Sequence, residues 1–198
     1  MKILFFGRKK EKMRTKTNTM MGTMKRVLSL VLAFLIVFTL SSPVNVSAKT
    51  KSITLKKAKF TTSGTVAASK ANTVKKGTYK VTLKPKSGTF CGYMKFTAPT
   101  TKTYSFTISN VRSNTGRYAC GFGYVMRYSG YGDSIGQVPV STKGGSNTTM
   151  WFASRKSSGG FIPKRTGKIT LNQGETVYLY LSASSSLSKS VSLKYTIK

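Results

Sequence analysis

The 198-residue chain has almost no acid and no histidine: 3 Asp+Glu stand against 34 Lys+Arg, for a formal charge of +31. Without histidine there is no Ser-His or Cys-His catalytic pair and no imidazole ligand for a metal. The acids are Glu11, Asp133 and Glu175. Once the N-terminal segment is removed, a glycosidase-type carboxylate pair has only Asp133 and Glu175 to draw on. A calcium cage wants several acidic oxygens. Two cysteines cannot complete a four-cysteine zinc site. The expectation is therefore a protein that is not an enzyme and that carries no metal and no other cofactor.

The first 48 residues read as targeting. Lys25 and Arg26 form a positive start, and Val27 to Leu40 is a 14-residue run, apolar apart from Ser29 and Thr39. Pro43 breaks the run, and Val46-Ser47-Ala48 places small residues at a cleavage site. A spanning helix needs about 20 apolar residues, so the run is short for an anchor. Residues 24–48 are expected to be a signal peptide, cut after Ala48. Residues 1–23 form a basic extension without globular pattern, as though translation began at Met24.

What remains, Lys49 to Lys198, is 150 residues with 25 Lys+Arg against Asp133 and Glu175. A domain of this size buries about 70% of its unfolded surface and needs no staple. Its pattern is two-residue alternation. Tyr79, Val81 and Leu83 alternate with Lys80, Thr82 and Lys84; Tyr104, Phe106 and Ile108 alternate with Ser105 and Thr107. Val177, Leu179 and Leu181 oppose Tyr178 and Tyr180, and Val191, Leu193, Tyr195 and Ile197 alternate with Ser192, Lys194 and Thr196. Each predicts a strand with one face in the core and one in water. Further strands are predicted at 52–55, 65–68, 89–97, 117–127, 147–154 and 167–171, separated by Gly, Pro and Asn turn signals. No segment shows a convincing helical period. The fold expected over 49–198 is all-β, a single sandwich or jelly roll.

Two stretches carry a resemblance. Gly92–Ser109, GYMKFTAPTTKTYSFTIS, resembles the YxFTAPxxGxYxFxI pattern of the bacterial pre-peptidase C-terminal domain family. Thr170–Leu181, TLNQGETVYLYL, is similar to that family's later LxxGxxYYLxV strand, and Val191–Ile197 to its last strand. Residues around 110–168 stand as a long insertion between them. The resemblance implies a jelly-roll-like β-sandwich, secreted and non-catalytic, of the kind appended to exported enzymes. The loops here lack the Asp and Asn that some relatives use for calcium, and no enzyme domain is expected beside the sandwich.

The basic charge calls for more than a solvated surface. Ordinary soluble surfaces mix both signs, whereas 25 cations against two acids attract polyanions over long range. Arg155, Lys156, Lys164, Arg165 and Lys168 surround the glycine-bearing loop 157–163 and form the first candidate contact. Tyr118, Phe122, Tyr124, Tyr128 and Tyr131 lie among glycines in 116–132 and, with Trp151 and Phe152, offer a candidate aromatic platform for sugar rings or unpaired bases. Against that stands burial: Tyr118, Cys120, Phe122, Tyr124 and Met126 share one alternating face and predict a core-facing strand. Tyr128 and Tyr131, beyond the strand, are the better candidates for exposure. Cys91 and Cys120 form an even pair in an exported chain, open to a disulfide or to two buried thiols.

The partner expected is an anionic glycopolymer or the cell-envelope surface, with no sequence-specific nucleic acid, since no recognition helix or finger pattern appears. The mature chain has no membrane span. The reading is a secreted adhesion or binding module. Its alternatives are a cationic antimicrobial or membrane-active protein, marked by killing at low salt, and a structural matrix protein, marked by self-association.

Overall fold

A computed structural model describes residues 49–86 and 89–198. The expected extension, 1–23, and signal segment, 24–48, lie outside the described residues. The elements run β1 (Lys51–Thr54), α1 (Gly64–Lys70), β2 (Asn72–Val74), β3 (Gly77–Leu83), β4 (Pro85–Lys86), β5 (Thr89–Thr97), β6 (Lys102–Ser113) and β7 (Ala119–Tyr128). They continue with β8 (Ile135–Gln137), β9 (Val140–Thr142), β10 (Gly145–Asn147), β11 (Met150–Ala153), β12 (Lys164–Leu171), β13 (Thr176–Ser185) and β14 (Val191–Ile197).

The strands form two packed sheets. The first has the order β1-β3-β14-β6-β12-β9-β10; the second has β11-β7-β13-β5-β2, with β4 on β5 and β8 on β7. Successive long strands β3, β5, β6 and β7 cross from one sheet to the other, as do β12, β13 and β14. The central orders β3-β14-β6-β12 and β5-β13-β7-β11 are those of a jelly roll. The all-β sandwich predicted from alternation is the fold.

The core lies between the sheets. Tyr79, Val81 and Leu83 of β3, Tyr104, Phe106 and Ile108 of β6, and Val191, Leu193, Tyr195 and Ile197 of β14 are all buried there. They meet Phe90, Met94 and Phe96 of β5 and Val177, Leu179 and Leu181 of β13. Two tyrosines lock strand entries. The Tyr79 hydroxyl donates to the Lys75 carbonyl (2.8 Å) and accepts from the Lys75 amide (2.9 Å), and the Tyr104 hydroxyl donates to the Thr100 carbonyl (2.7 Å). The Tyr195 hydroxyl, equally buried, has no partner among the described residues.

Several expectations are corrected. Residues 65–68 belong to α1, not to a strand. Gly64, Ala67, Ala68 and Ala71 sit at helical spacing and face the second sheet, with Gly64 and Ala67 fully covered. Ser63 caps the helix by accepting from the Val66 amide (3.2 Å). Residues 147–154 divide between β10 and β11 with a break at 148–149.

The phase of β7 is also reversed. Its core-facing residues are Ala119, Gly121, Gly123 and Val125, while Tyr118, Cys120, Phe122 and Tyr124 are only half-buried, on the outer side. The core leaves no room for side chains there. A Cβ on Gly121 would collide with the Ser182 carbonyl and come within 2.8 Å of Phe152, and one on Gly123 would meet Ile108 and Leu181 at 3.1 Å. Phe152, the expected platform residue, fills that core and is fully buried.

Finally, β13 is not half-wet. Residues Val177 to Ala183 are buried on both faces. After β1 the chain crosses from the first sheet to the second, the Ala58 amide bonding the Cys91 carbonyl (3.4 Å). Residues 58–71 then cover the second sheet's outer side. Ala58, Ala67, Tyr93, Met126, Ile135, Tyr178 and Tyr180 make a second, smaller core there.

Candidate functional site

The uncovered outer side of the first sheet is built in rows. Register places Ser52, Lys80, Lys194, Ser109 and Lys164 side by side across β1, β3, β14, β6 and β12. The next row is entirely threonine: Thr78, Thr196, Thr107 and Thr166. Beyond it, Ser105 pairs Lys168, which pairs Ser141, and Ser105 exchanges backbone bonds with Lys198. A last pair is Thr103 and Thr170. Neighbouring strands are about 4.8 Å apart and alternate residues of a strand about 6.7 Å apart, so the two lysine rows lie about 13 Å apart. Threonine hydroxyls pair across strands, Thr107 with Thr166 and Thr103 with Thr170 at 2.9 Å each and Thr78 with Thr196 at 3.3 Å. These pairs tie neighbouring strands together between the lysine rows, while Lys80, Lys164, Lys168 and Lys194 stay exposed.

Neither acidic side chain of residues 49–198 reaches this face, because Asp133 and Glu175 are engaged elsewhere. Asp133 accepts from the Thr65 amide (2.7 Å), the Thr65 hydroxyl (2.8 Å) and the Ser63 hydroxyl, tying the 129–134 turn to the start of α1. These bonds, the Ser63 hydroxyl foremost, hold its carboxyl below the usual carboxylate range. Glu175 accepts from the Asn172 amide (2.9 Å) in the β12–β13 turn and pairs with Arg127 at 3.5 Å. Arg127–Glu175 is the one ion pair among the described residues. Lys80 and Lys194 therefore stand directly opposite each other with no counter-charge between them, an arrangement that disfavours the empty sheet.

The cations expected around loop 157–163 are not all brought onto one face. Lys164 and Lys168 point outward from β12 into the lysine rows. Arg165, one residue out of phase, is half-buried, and its guanidinium donates to the carbonyls of Trp151 (3.1 Å) and Gly160 (2.7 Å), which makes it a clamp on the loop. Arg155 lies 5.6 Å from the Tyr118 ring centroid, a cation–π contact. Lys156 is exposed. Lys80 and Lys194 were not singled out by the sequence; the available signal was a lysine at the outward position of two alternating strands, without the register that makes them neighbours.

The aromatic residues form a separate strip on the second sheet. Trp151, 40% exposed, packs on Phe122 and Phe161 with ring centroids 5.4 and 5.2 Å away, and Phe122 continues to Tyr124 and Phe60. Neighbouring rings in this strip are inclined by 40° to 78°. They pack on one another edge to face or, for Phe122 on Tyr124, tilted, and offer no common plane. Tyr128 lies at the far end of β7, against Gly64 of α1, its hydroxyl 3.3 Å from that of Tyr178. Tyr131, in the following turn, is 82% exposed and stands apart from the strip. Cys91 and Cys120 are free thiols on β5 and β7, with β13 between them. Two strand spacings, about 9.6 Å, exceed the reach of a disulfide, about 7 Å. Burial pushes the Cys120 thiol up.

Among the described residues there is no group of three or more potential metal ligands, and no helix is long and apolar enough to cross a membrane. Two hollows flank the lysine rows. One, of about 400 Å³, has Thr142, Lys143, Lys164, Arg165, Thr166 and Lys168 in its lining. The other, of about 370 Å³, is lined by Thr50, Lys80, Asn110, Arg112, Ser192 and Lys194.

No family model and no curated protein matches the chain. Among solved structures it is similar to the pre-peptidase C-terminal domain of a collagenase from Bacillus anthracis, at 13% identity and a TM-score of 0.36, over 65% of this chain and 94% of that one. It is also similar to CorA, a surface-associated copper-binding protein important in Methylomicrobium album BG8 copper acquisition, at 9% identity and a TM-score of 0.32, over 65% of this chain and 98% of that one. The resemblance to the pre-peptidase C-terminal domain, first carried by 92–109 and 170–181, is distant. Those residues span β5, β6 and the β12–β13 turn.

Proposed function

We propose that residues 49–198 are a secreted, non-catalytic binding module that holds anionic glycopolymers of the cell envelope against the lysine rows of the first sheet. The observation that carries this reading is the row Ser52, Lys80, Lys194, Ser109, Lys164, with like charges directly opposed and the side chains of Asp133 and Glu175 engaged elsewhere. A polyanion laid on the face relieves the Lys80–Lys194 repulsion and gains charge-assisted hydrogen bonds from the lysines, with hydroxyl donors between them. The polymer needs no deep pocket, since its charges repeat along its length. Export by the 24–48 segment brings the module to such polymers, and the product in the medium is expected to begin at Lys49.

The test is a salt titration of binding to immobilised anionic wall polymer and acidic glycan. The reach of exposed charge falls from about 10 Å at 0.1 M salt to about 3 Å at 1 M, so binding should fade across that range. Binding that ignores salt, or no binding to any anionic polymer at low salt, contradicts the reading.

A further inference from the structure

We propose that the hollow beside Asn110 is a site for one tetrahedral oxyanion, a phosphate or sulfate group, and so selects which anionic polymers the face retains. The proposal rests on the reading of the lysine rows and names the chemical class within it. Its first support is the backbone. In β6 the register against β14 shifts between Ser192 and Lys194, so that Ser192 pairs Arg112 and Lys194 pairs Ser109. Asn110 and Val111 share the place opposite Leu193. Asn110 takes up the extra residue at φ 51°, a left-handed conformation that asparagine tolerates better than most residues.

The bulge reverses the phase of the strand beyond it. Without it, Arg112 would point into the sandwich and Val111 out. With it, Val111 is buried and Arg112 emerges on the same side as Lys80 and Lys194. Bulges re-aim side chains in this way. Three cations from three adjacent strands then line one hollow of about 370 Å³, within the range of small-ligand sites.

The second support is the donor set. Arg112 presents a fork of parallel N–H groups, Lys80 and Lys194 present ammonium groups, and Asn110, Ser192 and Thr50 add an amide and two hydroxyls. A carboxylate, with two oxygens, leaves much of this set unused. The additional oxygens of a phosphate or sulfate ester engage more of it. The neighbouring hollow at Lys143 differs in the state of its arginine: Arg165 lines it, but its Nε and Nη2 already donate to the Trp151 and Gly160 carbonyls, so less of its fork is free than that of Arg112.

The purified full-length protein is titrated with inorganic phosphate, inorganic sulfate or acetate, with chloride holding the ionic strength constant. Amide shifts of Asn110, Arg112 and Lys194 and the thermal midpoint are followed. Saturable shifts and a raised midpoint are expected with phosphate, with sulfate or with both, and neither with acetate. Response to phosphate alone points to phosphate-bearing polymers, and to sulfate alone to sulfated glycans. Arg112→Gln should weaken the response about ten-fold, the loss of one charged donor, and Lys143→Gln should leave it unchanged. Asn110→Gly, which keeps the backbone conformation, should weaken it less. The proposal is overturned by an acetate response equal to that of phosphate and sulfate, by no saturation at constant ionic strength, or by equal effects of Arg112→Gln and Lys143→Gln. Polymer binding is measured on the same samples. Its persistence alongside a failed oxyanion titration removes the hollow and keeps the lysine rows; its absence removes both.

Discussion

The two sheets differ most on their outer sides. The second is covered by residues 58–71 and rich in aromatics: Tyr93, Tyr178 and Tyr180 are buried under α1 and its approach, and Phe122 and Tyr124 are half-buried beside them. The first carries nothing but lysine, arginine, serine, threonine and asparagine on its outward positions in β3, β6, β12 and β14. One outer side adds to stability by removing apolar surface from water. The other holds cations together without counter-charges. On the proposed function, stability and binding fall to opposite sides of one sandwich, and substitutions on the two sides should have opposite signatures.

The largest break is on the covered side. Tyr180 touches Phe60, Tyr93 and Tyr124 and is 4% exposed, so Tyr180→Ala should cost about 3–5 kcal/mol in chemical denaturation, the usual cost of truncating a buried aromatic. Polymer binding by the fraction still folded should be unchanged.

Alkali should act on the same side. Burial pushes Tyr93 and Tyr178 up to about 12, while in the unfolded chain a tyrosine ionises near 10. Neutral tyrosine favours the folded form, so this stability is fully present below about pH 10 and is lost as pH rises through about 12. The thermal midpoint should fall over that window, with a shallower fall in Tyr178→Phe.

The core between the sheets provides a finer contrast. Tyr104→Phe removes a hydroxyl bonded to the Thr100 carbonyl and should cost about 1 kcal/mol. Tyr195→Phe removes a buried hydroxyl without a partner among the described residues and should be neutral or stabilising by about 1 kcal/mol in the same denaturation series. On the uncovered side, Lys80→Gln relieves the repulsion from Lys194 and should stabilise by about 0.2–1 kcal/mol while weakening polymer binding.

The sandwich was legible where one face is wet. β3, β6 and β14 alternate in sequence as they do in the structure, because the first sheet's outer side meets water. Legibility failed under the cover. β13 is buried on both faces, so its tyrosines read as outward although residues 58–71 lie over them. The glycines of β7 face the core because Phe152, Ile108 and Leu181 already fill it, which inverted the inferred phase. α1 packs through glycine and alanine, whose small side chains carry little periodic signal.

The candidate site was legible in sign and less so in place. Lys164 and Lys168 were identified, but Arg165 beside them is spent on two carbonyls. Lys80 and Lys194 became neighbours only through the pairing of β3 with β14, strands far apart in sequence. Arg112 joined them through a bulge at Asn110 that no alternation pattern announces.

The most direct measurement compares two charge-matched variants in one salt-dependent binding assay on immobilised anionic glycopolymer. One reverses Lys80, Lys164, Lys168 and Lys194 to Glu on the lysine rows. The other reverses Lys57, Lys59, Lys75 and Lys76, which are exposed outside those rows. Both lower the net charge equally. The account predicts that the first set abolishes binding at 0.1 M salt, where charge reaches about 10 Å, while the second only reduces it. Equal losses from the two sets would show that binding follows net charge alone and would contradict the assignment to the first sheet.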